Sequence, residues 1–284
     1  MTDVQLFTDA RAILAESPVW DDDAQELVWC DITAGLLHRI SADGSADRAV
    51  AVPPPLASIQ PQRGGGFVAA LGDSVVSLDG EGRITGEVAR IRHSDPGIRF
   101  NEGKCDPFGA FVVGGMDFVS HEPDAGLYRI APDGEMTVLA GGFGTANGIE
   151  FAVDGSAIWV TDTAVSTIFR APWNAEGTLG ELVPWTSGGP HDGLVQDERG
   201  EFWSALYGEG VVVHLGATGE ELERIAFPVK NVTGVTIGGP DGSTLFVCSA
   251  RENATEEDLE EHPLSGGIFT CALDRKGLPP RLFG

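Results

Sequence analysis

Glu16, Asn147 and Asp192 are the residues of this 284-residue chain whose types and spacing most directly suggest chemistry. Each heads a similar short motif: Glu16-Ser17-Pro18-Val19-Trp20, Asn147-Gly148-Ile149-Glu150-Phe151 and Asp192-Gly193-Leu194-Val195. Brought together, they offer two carboxylates and an amide carbonyl. Three oxygen donors suit calcium, magnesium or manganese, with zinc or ferrous iron as alternatives. Three protein ligands also leave coordination positions for water and substrate, as a catalytic metal site requires. Taken singly, each residue has an ordinary reading: Asn and Asp before Gly are common turn residues, and Glu before Ser-Pro suits a solvated strand start. A shared position in a repeat outweighs that reading.

The repeat is visible along the whole chain. One unit runs from Glu16 through the turn Asp21-Asp22-Asp23, then Leu27-Val28-Trp29-Cys30-Asp31, then Leu36-Leu37-His38-Arg39-Ile40, and ends at Asp43-Gly44. The same order returns from Asn147, with Ile158-Trp159-Val160-Thr161-Asp162 and Thr167-Ile168-Phe169-Arg170. It returns again from Asp192, with Glu201-Phe202-Trp203-Ser204-Ala205 and Val211-Val212-Val213-His214-Leu215. Weaker copies begin near Leu56, at Glu102 and at Thr233, so units start roughly every 40 to 46 residues, the period of a propeller blade. Short runs rich in Val, Ile, Phe and Trp, bounded by Asp-Gly turns, read as antiparallel strands, and no amphipathic helix is expected. The pattern predicts an all-β, six-bladed β-propeller occupying residues 1–284 as one domain. The leftover run Val4-Gln5-Leu6-Phe7 is expected to join the last blade and close the ring. A β-sandwich with accidental spacing is the competing architecture. It gives no reason for Glu16, Asn147, Asp192 and Thr233 to share a register just ahead of the first strand of their units, the register that lines a propeller's channel rim.

Charge narrows the partners. With 43 acidic and 18 basic residues the formal net charge is −25, a field that repels phosphate backbones and anionic lipid. Neither nucleic acid nor a membrane is expected as a partner. Only Lys104, Lys230 and Lys276 are lysine, which fits a salt-adapted host or a GC-rich genome equally. The start of the chain has no basic-then-apolar leader, so a soluble, cytoplasmic protein is expected, as a monomer or small homo-oligomer. Cys30, Cys105, Cys248 and Cys271 form no CxxC pair and read as buried free thiols; only Cys248 and Cys271, in one blade, are candidates to pair.

These motifs, with Arg99-Phe100-Asn101-Glu102-Gly103-Lys104 and Ser265-Gly266-Gly267-Ile268-Phe269, resemble the regucalcin, gluconolactonase and luciferin-regenerating-enzyme family over nearly the whole chain. The resemblance implies a divalent metal on Glu16, Asn147 and Asp192, calcium or zinc before manganese, magnesium or ferrous iron, and hydrolysis of a sugar lactone. It implies that Arg99 and Asn101 bind substrate, and Glu102, next in sequence, is grouped with them. The guanidinium offers several donors and the amide both donates and accepts, which suits a polyol. Three departures stand out: Glu102 where the family usually has Asp, a short 117–122 segment in place of a longer lid, and His191 ahead of Asp192 where proline is common. Glu102 is expected to reach a metal-bound water or to reshape the pocket floor, and His191 to make a polar rim contact.

The chemistry implied is attack by metal-activated water, with Asp192 accepting the proton and Glu102 in reserve. No G-x-S-x-G elbow with a suitable His is present, and no serine nucleophile is needed. The competing readings are a non-catalytic cation-binding or interaction propeller, and a hydrolase of other esters, organophosphates or larger lactones.

Overall fold

The computed structural model describes residues 3–284. It forms six four-stranded antiparallel sheets, and five of them are built from four consecutive strands. The innermost strands are Ala15–Asp21, Leu56–Pro61, Ile98–Cys105, Ala146–Phe151, His191–Gln196 and Asn231–Gly238. Each packs against the next, and the sixth packs against the first, so the sheets close into a six-bladed β-propeller around a central channel. The sixth sheet takes its outermost strand, Val4–Thr8, from the other end of the chain, against Ile268–Ala272. That pairing ties the ring shut and removes an open edge.

The apolar residues of each strand explain why the ring holds. Six buried clusters occupy the six junctions between neighbouring blades, rather than one core inside each blade. Trp203 and Val212 of the fifth blade, for example, share a cluster with Val232 and Leu245 of the sixth. A second recurring device lies on the middle strands, where Trp29, Trp159 and Trp203 face His38, Arg170 and His214 across the second and third strands of their blades. The Trp29–His38 and Trp203–His214 rings stack at 3.8 and 4.2 Å, and the Arg170 guanidinium lies over Trp159. Cross-strand pairs of this kind stabilise a sheet by a few tenths to about 1 kcal/mol each.

One difference from the sequence reading is local. Among the described residues there is one short α-helix, Glu256–Glu261, with a Thr255–Asp258 capping box and no buried residue; five acids and one leucine are too short a run to show a helical period. As expected, all four cysteines are buried and free, and Cys248 and Cys271 do not pair.

Beyond the last strand, residues 273–284 run beneath the channel. They bond in turn to the sixth blade (Gly277 N–H to Gly242 O), the fifth (Glu198 N–H to Lys276 O), the third (Gly284 N–H to Gly109 O) and the second (Phe283 N–H to Pro61 O). Arg281 donates to the Phe151 and Ala152 carbonyls of the fourth. With Trp20, Gln60 and Gln196 this segment encloses a cavity of about 430 Å³ at one end of the channel, where Lys104 and Arg281 flank the Glu150 carboxylate.

Candidate metal centre

Glu16, Asn147 and Asp192 lie three to four residues back along their strands from that cavity, about 10 Å toward the other mouth. They are not ahead of the first strand, as the repeat suggested, but each is the second residue within it. The reason is a β-bulge. In all six blades the pairing of the first and second strands slips by one residue, after Glu16, Leu56, Phe100, Asn147, His191 and Val232, and then resumes. A bulge re-aims side chains without ending the ladder, so the strand continues past the point where Ser-Pro or Gly reads as its start. Glu16 and Asn147 directly precede their bulges, whereas Asp192 and Thr233 are the first residues inside theirs. The shared register is therefore offset by one between the two pairs.

Two carboxylates hold this part of the ring in place from behind. Asp31 accepts from the Ile13, Leu14 and Ala34 N–H groups at 2.8 to 3.2 Å. Asp162 does the same for Gly144, Thr145 and Ala164 at 3.0 to 3.2 Å. Each clamps the chain two residues before a proposed ligand, Glu16 in one blade and Asn147 in the other. Glycine lets the strands close in. Gly148 has φ +38°, and a Cβ there would meet Thr161 Oγ1 and lie 2.5 Å from the Asp192 carbonyl. A Cβ on Gly234 would lie 2.5 Å from Pro18 Cδ and 2.9 Å from Glu16 Oε2.

The side chains so placed converge. Glu16, Asn101, Glu102 and Asn147 line one small cavity at the axis. Arg99 Nη1 donates to Phe100 O and to Asn101 Oδ1, both at 2.8 Å. Asn101 Nδ2 donates to Asn147 Oδ1 at 2.5 Å and to Ala146 O at 3.1 Å. Glu102 Oε2 accepts from Gly148 N–H at 2.7 Å, so its longer carboxylate reaches the floor beside Asn147. Asp192 is buried, and its Oδ1 has no hydrogen-bond partner.

The electrostatics of the cluster are those of acids short of a counter-charge. Burial, then Asp192 and Glu102, pushes Glu16 well above the usual carboxylate range. Burial, then Glu102, does the same to Asp192. Glu102 is raised to about 7 by burial, with Lys104 and the Gly148 N–H pulling the other way. Buried like charges either hold protons or share a cation. The all-oxygen donor set and the orphaned Asp192 Oδ1 fit a hard divalent cation at this point.

His191 does not make the expected rim contact. It is buried, its Nδ1 lies 3.0 Å from Ser204 Oγ, and burial lowers its pKa to about 4. The short 117–122 segment is a closed turn: Asp117 accepts from Val119 N–H, Ser120 N–H and Ser120 Oγ, and is consumed by its own loop. Three groups near the site carry no signal in the sequence. Tyr207 and Glu252 stand close enough that Asp192, Glu252 and Glu16 add to the burial that raises Tyr207 to about 12, and Glu252 is the strongest charge partner of the half-buried Arg99 guanidinium. Thr163 joins Asn147 to the fifth blade. A further acid and histidine group, Asp197, Glu201 and His214, also has ligand spacing. The Arg275 guanidinium already occupies it, 2.9 Å from His214 Nε2 and paired with Glu201.

The family model of the SMP-30/Gluconolactonase/LRE-like region matches residues 14–251. The chain belongs to that family, and it is a lactone-hydrolysing enzyme. It is 32% identical to the 6-deoxy-6-sulfogluconolactonase of Pseudomonas putida, covering 96% of this chain and 95% of that one. It is 33% identical to the pentonolactonase XacC of Haloferax volcanii, covering 95% and 94%. Among solved structures, a calcium-binding regucalcin from Agrobacterium tumefaciens superposes with a TM-score of 0.93 at 27% identity, over 100% of this chain and 98% of that one.

Proposed function

We propose that the chain opens a sugar lactone of the aldonolactone class to its aldonic acid, with one divalent cation held by Glu16, Asn147 and Asp192. The observation that carries this reading is the buried Asp192 carboxylate, unpartnered at Oδ1 and close enough to Glu16 and Glu102 for their charges to interact. A bound cation supplies Lewis acidity to the lactone carbonyl and makes adjacent water more acidic. The protein's own groups do the rest. Asp192 accepts the proton of the attacking water, and Glu102, raised to about 7, is the second acceptor. Arg99 and Asn101, already bonded to each other beside the ligands, orient the sugar hydroxyls and ring oxygen. The relatives named for gluconolactone-type and pentonolactone substrates support the sugar class. Calcium or zinc is the preferred cation in this reading, with manganese, magnesium or ferrous iron as substitutes.

The test compares two carboxylate deletions. Asp192→Ala removes a ligand and the proton acceptor together, so stoichiometric metal and turnover of pentono- and hexonolactones should both be lost. Asp124→Ala removes one carboxylate from an exposed loop and alters the net field by the same charge. If cations are merely attracted to an acidic surface, the two variants will behave alike. Coordination requires that only the first fails.

A further inference from the structure

An asparagine ligand works only if its carbonyl oxygen, not its amide nitrogen, faces the cation. Oxygen and nitrogen differ little in shape, so the hydrogen-bond network must choose between them. Around Asn147 the proton count allows one answer. Arg99 can only donate, so the atom of Asn101 that meets its Nη1 at 2.8 Å is the oxygen. Asn101 therefore turns its nitrogen to Asn147, and the atom of Asn147 it meets at 2.5 Å must accept.

The other end of the chain is closed by Thr163, the first residue of a short 3₁₀ turn, Thr163–Val165, that follows the clamping Asp162. Its hydroxyl donates to the His191 carbonyl at 2.6 Å, which uses its only proton. Toward Asn147 the same oxygen can only accept, and it does so from Nδ2 at 2.9 Å. Donation therefore runs one way, from Arg99 through Asn101, Asn147 and Thr163 to the backbone immediately before Asp192. A flipped Asn147 would set nitrogen against nitrogen at Asn101 and two acceptors against each other at Thr163. Both faults fall in a buried site, where an unmet polar group costs about 1–3 kcal/mol.

We infer that Thr163 is a positioning residue of the metal centre: its hydroxyl fixes the Asn147 amide with the carbonyl oxygen toward the cation and couples that ligand to the strand carrying Asp192. Thr163 touches neither cation nor substrate. The inference rests on the metal site proposed above, and it goes beyond that site by assigning ligand orientation to a hydroxyl on the turn after the second strand of the same blade.

The test reads cation affinity by calorimetric titration of chelator-treated protein with Ca2+, and separately with Zn2+. Partners that orient a metal ligand are worth about 10- to 100-fold in affinity. Thr163→Val should therefore weaken binding of the cation by roughly that factor, and Thr163→Ser should restore it to within about threefold, because only the hydroxyl is needed. A double mutant separates orientation from packing. In an Asn147→Asp background both side-chain atoms are oxygens and no flip exists, so adding Thr163→Val should not weaken binding. Equal losses in the two backgrounds, or failure of Thr163→Ser to restore binding, would mean that Thr163 acts by packing, and the inference falls. Unchanged affinity in Thr163→Val also overturns it. Should Asn147→Ala bind the cation as well as the parent chain, the metal site itself is misplaced, an outcome distinct from failure at Thr163 alone.

Discussion

Asn147, Asn101 and Arg99 differ in what they lose when truncated, and that difference separates metal holding from substrate holding. Arg99 donates to Phe100 O and Asn101 Oδ1 and is nowhere in the oxygen donor set. Arg99→Ala should therefore keep stoichiometric metal while lactone kcat/KM falls by about 10- to 100-fold, the scale of a lost charged orienting contact. Metal analysis and steady-state kinetics on one preparation check both halves; metal loss in this variant would mean that Arg99 supports the metal ligands and is not solely a substrate contact. The raised acids make a second forecast, for the metal-free protein. Glu102 titrates at about 7 in the folded chain against an ordinary 4.5. Between those values the folded state binds more protons than the unfolded one, so stability is greatest below about pH 4.5 for this group and declines as pH rises through 7. Glu16 and Asp192, raised in the same direction, add to the decline. Thermal melts of chelated protein should show Tm falling from pH 5 to 8. Excess Ca2+ should reverse the trend, because deprotonated ligands bind it best.

At the scale of the strand, the bulges and the glycines beside them determine whether the ligands meet. Gly234 in the sixth blade leaves the space into which the Glu16 carboxylate projects: a Cβ there would sit 2.9 Å from Oε2 and 2.5 Å from Pro18 Cδ. Gly234→Ala should displace Glu16 and weaken cation binding by about tenfold or more, in line with the cost of disturbing a ligand's support. Gly86→Ala is the control. Gly86 lies on the outer strand Ile84–Arg90 with open space around it, so its replacement should leave binding unchanged. Titrating both variants with Ca2+ decides the point. The repeated motif was legible as a repeat because each unit begins with the same few residue types. The one-residue offset between Glu16 and Asp192 was not, because a bulge is defined by which partner each residue faces on the next strand. Asp31 and Asp162 were visible only as the ends of the second strands. Their grip on three backbone N–H groups apiece depends on how the preceding loop folds back over them.

Across the whole molecule, the apolar surface is buried between blades, so the fold does not lean on the cation. Chelation should abolish lactone hydrolysis while circular dichroism and the cooperative melt persist. Unfolding on chelator alone would show that the blades need the metal. The short repeat period, the Asp-Gly turns and the alternation of apolar residues were enough to specify six antiparallel blades, because strand and turn chemistry acts over a few neighbouring residues. The types of the residues at Glu16, Asn147 and Asp192 were likewise plain, and with them the preference for a hard cation. Ring closure decided the rest. It placed the half-buried Thr163 hydroxyl against the His191 carbonyl. It sank His191 beneath the site and filled the Asp197, Glu201 and His214 cluster with Arg275. It also drew residues 273–284 across the foot of the channel. Apart from His191–Ser204, which lies within one blade, these contacts join residues tens of positions apart in different blades or in the terminal segment, and a hydrogen bond between such partners depends on where the closed ring puts them, which no local pattern of residues encodes.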